Sequence, residues 1–231
     1  MSMASSPPEA PARKLRWFQF SLRSLLLLVL LVSLGMSWVA VKIERGRQQK
    51  EAVEEIEKLG GLVAYDYQQV YRSVGPSGPV WLRNWLGKDL FATVVEVRFT
   101  SASGTDAELE HLKGMTQLQK LDLHGTQVTD AGLEHLEGMT KLQALWLHET
   151  KVSDAGLEYL KGMTQLQVLT LSGTKVTDAG LVHLEGLTQL EALLLIDTHV
   201  THEGLKRLSR ALPKCMIVRG PSTQRARQAA W

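Results

Sequence analysis

Four consecutive segments of this chain align without a gap at a period of 24 residues. They read GTDAELEHLKGMTQLQKLDLHGTQ (104–127), VTDAGLEHLEGMTKLQALWLHETK (128–151), VSDAGLEYLKGMTQLQVLTLSGTK (152–175) and VTDAGLVHLEGLTQLEALLLIDTH (176–199), and a divergent copy follows from Val200. A short unit repeated in this way cannot bury its apolar residues alone. It buries them against copies of itself, so the pattern demands a stacked solenoid rather than one globular core.

The physics of one unit is readable in its residues. LxxLxL predicts a short strand in each copy: Leu118/Leu121/Leu123, Leu142/Leu145/Leu147, Leu166/Leu169/Leu171 and Leu190/Leu193/Leu195. A hydroxyl residue followed by an acid comes next, at Thr129-Asp130, Ser153-Asp154 and Thr177-Asp178. The hydroxyl suits a helix N-cap and the acid suits the positive end of the helix dipole. Leu133, Leu136 and Met139 then recur at three-residue spacing, as on one face of a short helix. Gly114, Gly138, Gly162 and Gly186 stand where that helix ends, the place for a left-handed cap. Thr126, Thr150, Thr174 and Thr198 are expected to form an interior hydroxyl ladder that satisfies loop backbone groups. The expected architecture is α/β, one strand and one helix per unit, with a parallel sheet along one face.

A solenoid exposes leucines at its ends unless something covers them. VVEVRF (94–99) fits the strand register one period early, with Val94, Val97 and Phe99 inward. PVWLRNWLGKDLF (79–91) reads as a helix that sets Trp81, Leu82, Trp85 and Leu86 on the first core layer. KEAVEEIEKLGG (50–61) reads as a helix with Val53, Ile56 and Leu59 on one face, and LVAYDYQQV (62–70) as a strand. At the far end ALPKCMIV (211–218) is a last strand with Cys215 and Ile217 on the same side, Cys215 buried and inert.

Leu25 to Val41 is seventeen residues without a charge, flanked by Arg23 and Lys42. As a helix it is about 26 Å long, against roughly 30 Å of bilayer hydrocarbon. Its length exceeds a usual cleavable signal, so an uncleaved membrane anchor is expected. Trp17 and Trp38 suit the interfacial belt. Basic residues tie at four on each side (Arg13, Lys14, Arg16, Arg23; Lys42, Arg45, Arg47, Lys50), so the positive-inside rule does not choose an orientation. The common single-anchor layout puts the repeats on the non-cytoplasmic side. The expected organisation is an N-terminal disordered arm (1–24), a transmembrane helix (25–41), a juxtamembrane and capping region (42–93), the solenoid (94–220) and a disordered basic tail (221–231).

Charge narrows the partner. Residues 104–203 carry fifteen acids against six lysines, while seven basic residues lie in 204–231. An acidic repeat region argues against nucleic acid, which needs a basic footprint. Cys215 is the only cysteine, which excludes an internal disulfide and a four-Cys zinc site. No GxGxxG, GxxxxGK[ST] or GxSxG motif is present, so no cofactor and no enzyme activity is expected.

Side chains alternate along a strand, so the residues between the core leucines face outward. Those positions are Lys120, Asp122, His124; Ala144, Trp146, His148; Val168, Thr170, Ser172; and Ala192, Leu194, Ile196. Trp146, Thr170 and Leu194 form a row, flanked by Val168 and Ile196, with Asp122, His124 and His148 toward the N-terminal edge. An exposed tryptophan in an apolar stripe is the signature of a protein or peptide contact. His124 and His148 with Asp122 or Glu149 have the donor types for a divalent cation, but a solvated polar pair is the expected reading and no metal is assigned.

The repeats resemble the leucine-rich-repeat family, and T-D-A-G-L is similar to its subtype with a convex α-helix. That subtype often carries Cys at the strand–loop corner, where this chain has none, and the usual Asn of LxxLxLxxN is replaced by threonine. FSLRSLLLLV (20–29), EEIEKLGGLVAYDY (54–67), PVWLRNWLGKDLF and the TDAGL repeats together resemble membrane-anchored leucine-rich-repeat proteins of planctomycete bacteria. The resemblance covers most of residues 17–220. It implies a membrane-tethered, non-enzymatic interaction surface and supplies no catalytic residue. A self-associating envelope protein without a separate ligand is the alternative it leaves open.

Overall fold

The structure is a computed structural model of the full chain, and it describes residues 22–66, 92–99 and 104–220. The chain divides into two compact units after Ile43.

The described part of the first unit is helical. Helix α1 spans Leu22–Lys58 and so begins inside the segment expected to be a disordered arm. Its apolar stretch has no buried residue, and Leu25 to Leu31 are each at least half exposed. This is the one helix among the described residues long and apolar enough to cross a membrane, a property that signal sequences share.

The second unit is an α/β solenoid. Among its described residues seven strands, β1 (Leu62–Tyr65), β2 (Val94–Arg98), β3 (Lys120–Asp122), β4 (Ala144–Trp146), β5 (Val168–Thr170), β6 (Ala192–Leu194) and β7 (Met216–Val218), lie in that order across one sheet. Strands β2 to β7 are parallel and in register at the 24-residue period: Val97, Leu121, Leu145, Leu169, Leu193 and Ile217 stand side by side. Strand β1 pairs antiparallel with β2 and closes that edge of the sheet. The leucines of every LxxLxL motif are at most 2 % exposed. So are Val94, Val97 and Phe99, as expected for a strand one period early.

The last turns of α1 cover the start of the stack. Val53 and Ile56 enter the core, and Gln49 holds the β2 backbone by donating to the Ala92 carbonyl (2.9 Å) and accepting from the Val94 N–H (3.3 Å). Leu59, expected on the same buried face, is exposed because the helix ends at Lys58 and the chain turns away through Gly60 (φ +80°). The capping helix expected at 79–91, the strand residues 67–70 and the tail from Pro221 lie outside the described residues.

The convex side differs from regular α-helices. It carries α2 (Asp106–Leu109), α3 (Asp130–Glu134), a 3₁₀ turn at Gly156–Leu160, α4 (Asp178–Leu181) and α5 (His202–Ala211), with 3₁₀ turns after α2 and α4. Among the described elements of this side only α5 exceeds five residues. A 24-residue unit that must return to its strand leaves room for little more than one turn. Gly114 (φ +93°) and Gly138 (φ +86°) are left-handed as expected, whereas Gly162 and Gly186 are not among the positive-φ glycines. Their turns therefore close without a left-handed cap. Cys215 is half-buried against the core rather than fully enclosed, and burial pushes its thiol pKa up.

Two side-chain ladders bind the units. Thr126, Thr150, Thr174 and Thr198 donate to the carbonyls of Leu123, Leu147, Leu171 and Leu195 at 2.5–2.9 Å, as the sequence predicts. The second ladder was not legible. Asp106, Asp130, Asp154 and Asp178 do not merely face a helix dipole. Each accepts both the backbone N–H and the hydroxyl of the capping residue one unit on, at Thr129, Ser153, Thr177 and Thr201. The glycine of T-D-A-G-L makes room for it: a Cβ on Gly132, Gly156, Gly180 or Gly204 would meet the carboxylate of the preceding unit. In the first unit Glu108 stands at that position, and Leu82 stands where a preceding aspartate would. Glu108 turns back to accept the Thr105 N–H in a capping box.

Candidate functional site

The parallel register converts the sequence period into columns on the outer strand face. One column runs Glu96, Lys120, Ala144, Val168, Ala192, Met216, and the next runs Arg98, Asp122, Trp146, Thr170, Leu194, Val218. A third, at His124, His148, Ser172 and Ile196, follows the strands, where Gly125, Glu149 and Gly173 continue the ladder by donating to His148, Ser172 and Ile196 carbonyls.

These columns change character between β3 and β4. On β2 and β3 the outward residues are all charged and mutually paired: Arg98 with Asp122 at 2.9 Å, Arg98 with Glu96 at 3.8 Å and Lys120 with Glu96 at 3.9 Å. From β4 to β7 the two strand columns carry no charge. Trp146, Val168, Leu194, Ile196 and Val218 are half-buried, and Met216 is 63 % exposed. Three strand spacings of about 4.8 Å make this apolar field roughly 14 Å wide.

The eight residues singled out by sequence do not contribute alike. Trp146, Val168, Leu194 and Ile196 lie in the apolar field. Thr170 shares their column but is only 6 % exposed, so it offers a partner little surface; it instead meets His148 Nδ1 at 3.0 Å. Asp122 is occupied twice, by Arg98 and by the His124 N–H at 3.1 Å. The field also contains Met216 and Val218, which sequence reasoning missed. Both stand 24 residues after a named position, Ala192 and Leu194, so the period itself would have found them.

The two histidines stack face to face, with ring centres 3.7 Å apart and planes 17° from parallel. His124 Nδ1 donates to the His148 carbonyl at 3.3 Å. Burial lowers the His148 pKa, and the neighbouring His124 lowers it further, against the opposing pull of Asp122 and Glu149. Imidazole lone pairs lie in the ring plane, so stacked rings send them out side by side instead of toward one point. Among the described residues no group of three or more His, Cys, Asp or Glu side chains is placed to hold a metal. The histidine pair is a rim to the apolar field.

No family model and no curated protein matches the sequence. Solved structures that resemble it include an internalin (inlF) of Listeria monocytogenes, 25 % identical with a TM-score of 0.42 over 49 % of this chain and 31 % of that one. An internalin C2 of the same organism is 27 % identical, TM-score 0.42, over 49 % of this chain and 48 % of its own. A leucine-rich-repeat protein of Leptospira interrogans is 23 % identical, TM-score 0.40, over 47 % and 27 %. The chain spans less than half the length of each of these proteins.

Proposed function

We propose that this chain is a membrane-anchored, non-enzymatic interaction protein of the planctomycete type, whose outer strand face binds a protein or peptide. One observation carries the reading: the face loses all charge from β4 to β7 while holding Trp146, Leu194 and the exposed Met216 in register. Apolar side chains in that arrangement bury surface on a partner without moving the backbone. The paired charges of β2 and β3 form a polar rim that sets orientation more than affinity. Anchoring is supported by an apolar helix with no buried residue. With the repeats outside, the face meets envelope or extracellular partners.

Two measurements on the full chain test this. Alkaline extraction of membranes from the native cell distinguishes an anchored chain from a released one. Proximity labelling from a fusion after Trp231, in wild type and Trp146→Asp, tests the face. Envelope proteins labelled by wild type and lost in the variant support the reading. Identical labelling in both removes the strand face from it, and light scattering that shows stable self-association would favour the structural alternative.

A further inference from the structure

A small pocket in the second unit lies away from the strand face, between α1 and the turn that follows α2 in the first repeat. It holds about 80 Å³ and is lined by Arg45, Gln48, His111, Lys113, Met115 and Gln117, among others. A water needs about 15 Å³ by the same measure, so the space admits several waters or one compact anion.

Two cations, Arg45 and Lys113, and no carboxylate line it. On the neighbouring stretch of α1, Glu51 is paired with Arg47 (3.0 Å), Glu54 with Lys50 (3.8 Å) and Glu55 with Lys58 (2.6 Å), while Glu44 accepts from the Gln48 amide (3.3 Å). Among the described residues neither Arg45 nor Lys113 has a carboxylate partner, and both line the same cavity. Lys161, at the equivalent position two repeats on, is instead paired with Glu158 at 3.1 Å. Two unneutralised cations beside amide groups are the chemistry of a phosphate site: the guanidinium supplies a planar pair of donors and the ammonium a point charge. Arg45 stands four residues after Val41, the last residue of the uncharged stretch. By chain length alone it lies within about 15 Å of that end.

We propose that this pocket binds a phosphate group, supplied by the headgroup of an anionic lipid. The source of the phosphate rests on the anchored reading above; the pocket does not. Juxtamembrane cations attract anionic headgroups, and a cavity that holds one fixes the solenoid's first repeat at the bilayer surface.

The test uses the full chain in neutral maltoside micelles, with methionine methyl groups labelled with carbon-13. The Met115 methyl reports the pocket. Phosphatidylglycerol is expected to shift it saturably and phosphatidylcholine to leave it in place. Arg45→Gln with Lys113→Gln is expected to weaken the response at least tenfold, while Lys161→Gln retains it. A Met115 signal indifferent to both phosphatidylglycerol and inorganic phosphate, or a response unchanged in the double variant, overturns the site. Saturation by inorganic phosphate alone, without a lipid response, keeps the phosphate site and overturns the lipid source. Alkaline extraction separates the two readings: a chain released from membranes whose Met115 still answers phosphate loses the anchor and keeps the pocket.

Discussion

The carboxylate of Asp154 holds Thr177 of the next repeat by two hydrogen bonds, Oδ1 accepting the backbone N–H at 2.7 Å and Oδ2 the hydroxyl at 2.6 Å. Asp154→Ala leaves a half-buried N–H and hydroxyl without that acceptor, at a cost of about 1–3 kcal/mol. Gly180→Ala attacks the same bond from the other side, because its Cβ would sit on the Asp154 carboxylate. The two losses are therefore expected to be less than additive. Urea unfolding of the wild type, both single variants and the double variant gives the coupling, and full additivity would show the ladder and the glycine to be independent.

A second prediction concerns the corner that follows each strand. Gly125 and Gly173 are left-handed there, and so are Glu149 (φ 58°) and Asp197 (φ 60°), one unit apart from them. A side chain with a Cβ is strained in that conformation. Glu149→Gly is expected to raise stability by up to about 1 kcal/mol, the gain being reduced by glycine's greater freedom in the unfolded chain. A fall in the urea midpoint would contradict it.

His148 gives the chain a pH dependence of known sign. Its pKa in the folded state lies below the unfolded value of about 6.5. The neutral form is favoured, so this contribution to stability is complete above about pH 6.5 and is lost as pH falls through the folded pKa. Proton NMR should find a His148 midpoint below that of a histidine in a model peptide. His148→Gln should flatten that part of the stability profile. A midpoint at or above that of the free peptide would refute the assignment.

Trp146 is outward on β4 and half-buried, so replacing it should spare the fold and damage recognition. Trp146→Ala is expected to lower affinity for a strand-face partner by about 2 kcal/mol, roughly thirtyfold, with an unchanged circular dichroism spectrum. Titration calorimetry with a partner found by labelling makes the comparison. Retained affinity would exclude Trp146 as an anchor.

Much of this structure was legible because a repeat states its environment several times over. Leu121, Leu145, Leu169 and Leu193 occupy one position of a 24-residue period, and the same position in a stack is the same place in the core. Thr126 and its counterparts were readable for the same reason: a hydroxyl repeated at a strand end has one nearby carbonyl to satisfy. Trp146 followed from alternation between Leu145 and Leu147.

What escaped was set by contacts between units. The sequence shows Asp130 and Gly156 as recurring members of a motif, but not that the carboxylate of one unit fills the space left by the glycine of the next. Thr170 carries the same outward parity as Trp146, yet its neighbours leave it 6 % exposed. The stacking of His124 on His148, and the convergence of Arg45 and Lys113 on one pocket from positions 68 residues apart in the chain, likewise depend on how elements pack. The period and its alternation determined which residues face inward, because backbone geometry alone fixes that. Tertiary packing decided which outward residues are accessible, which acids are already paired and which cations lack a carboxylate partner among the described residues, because those depend on distances across units that no local pattern encodes.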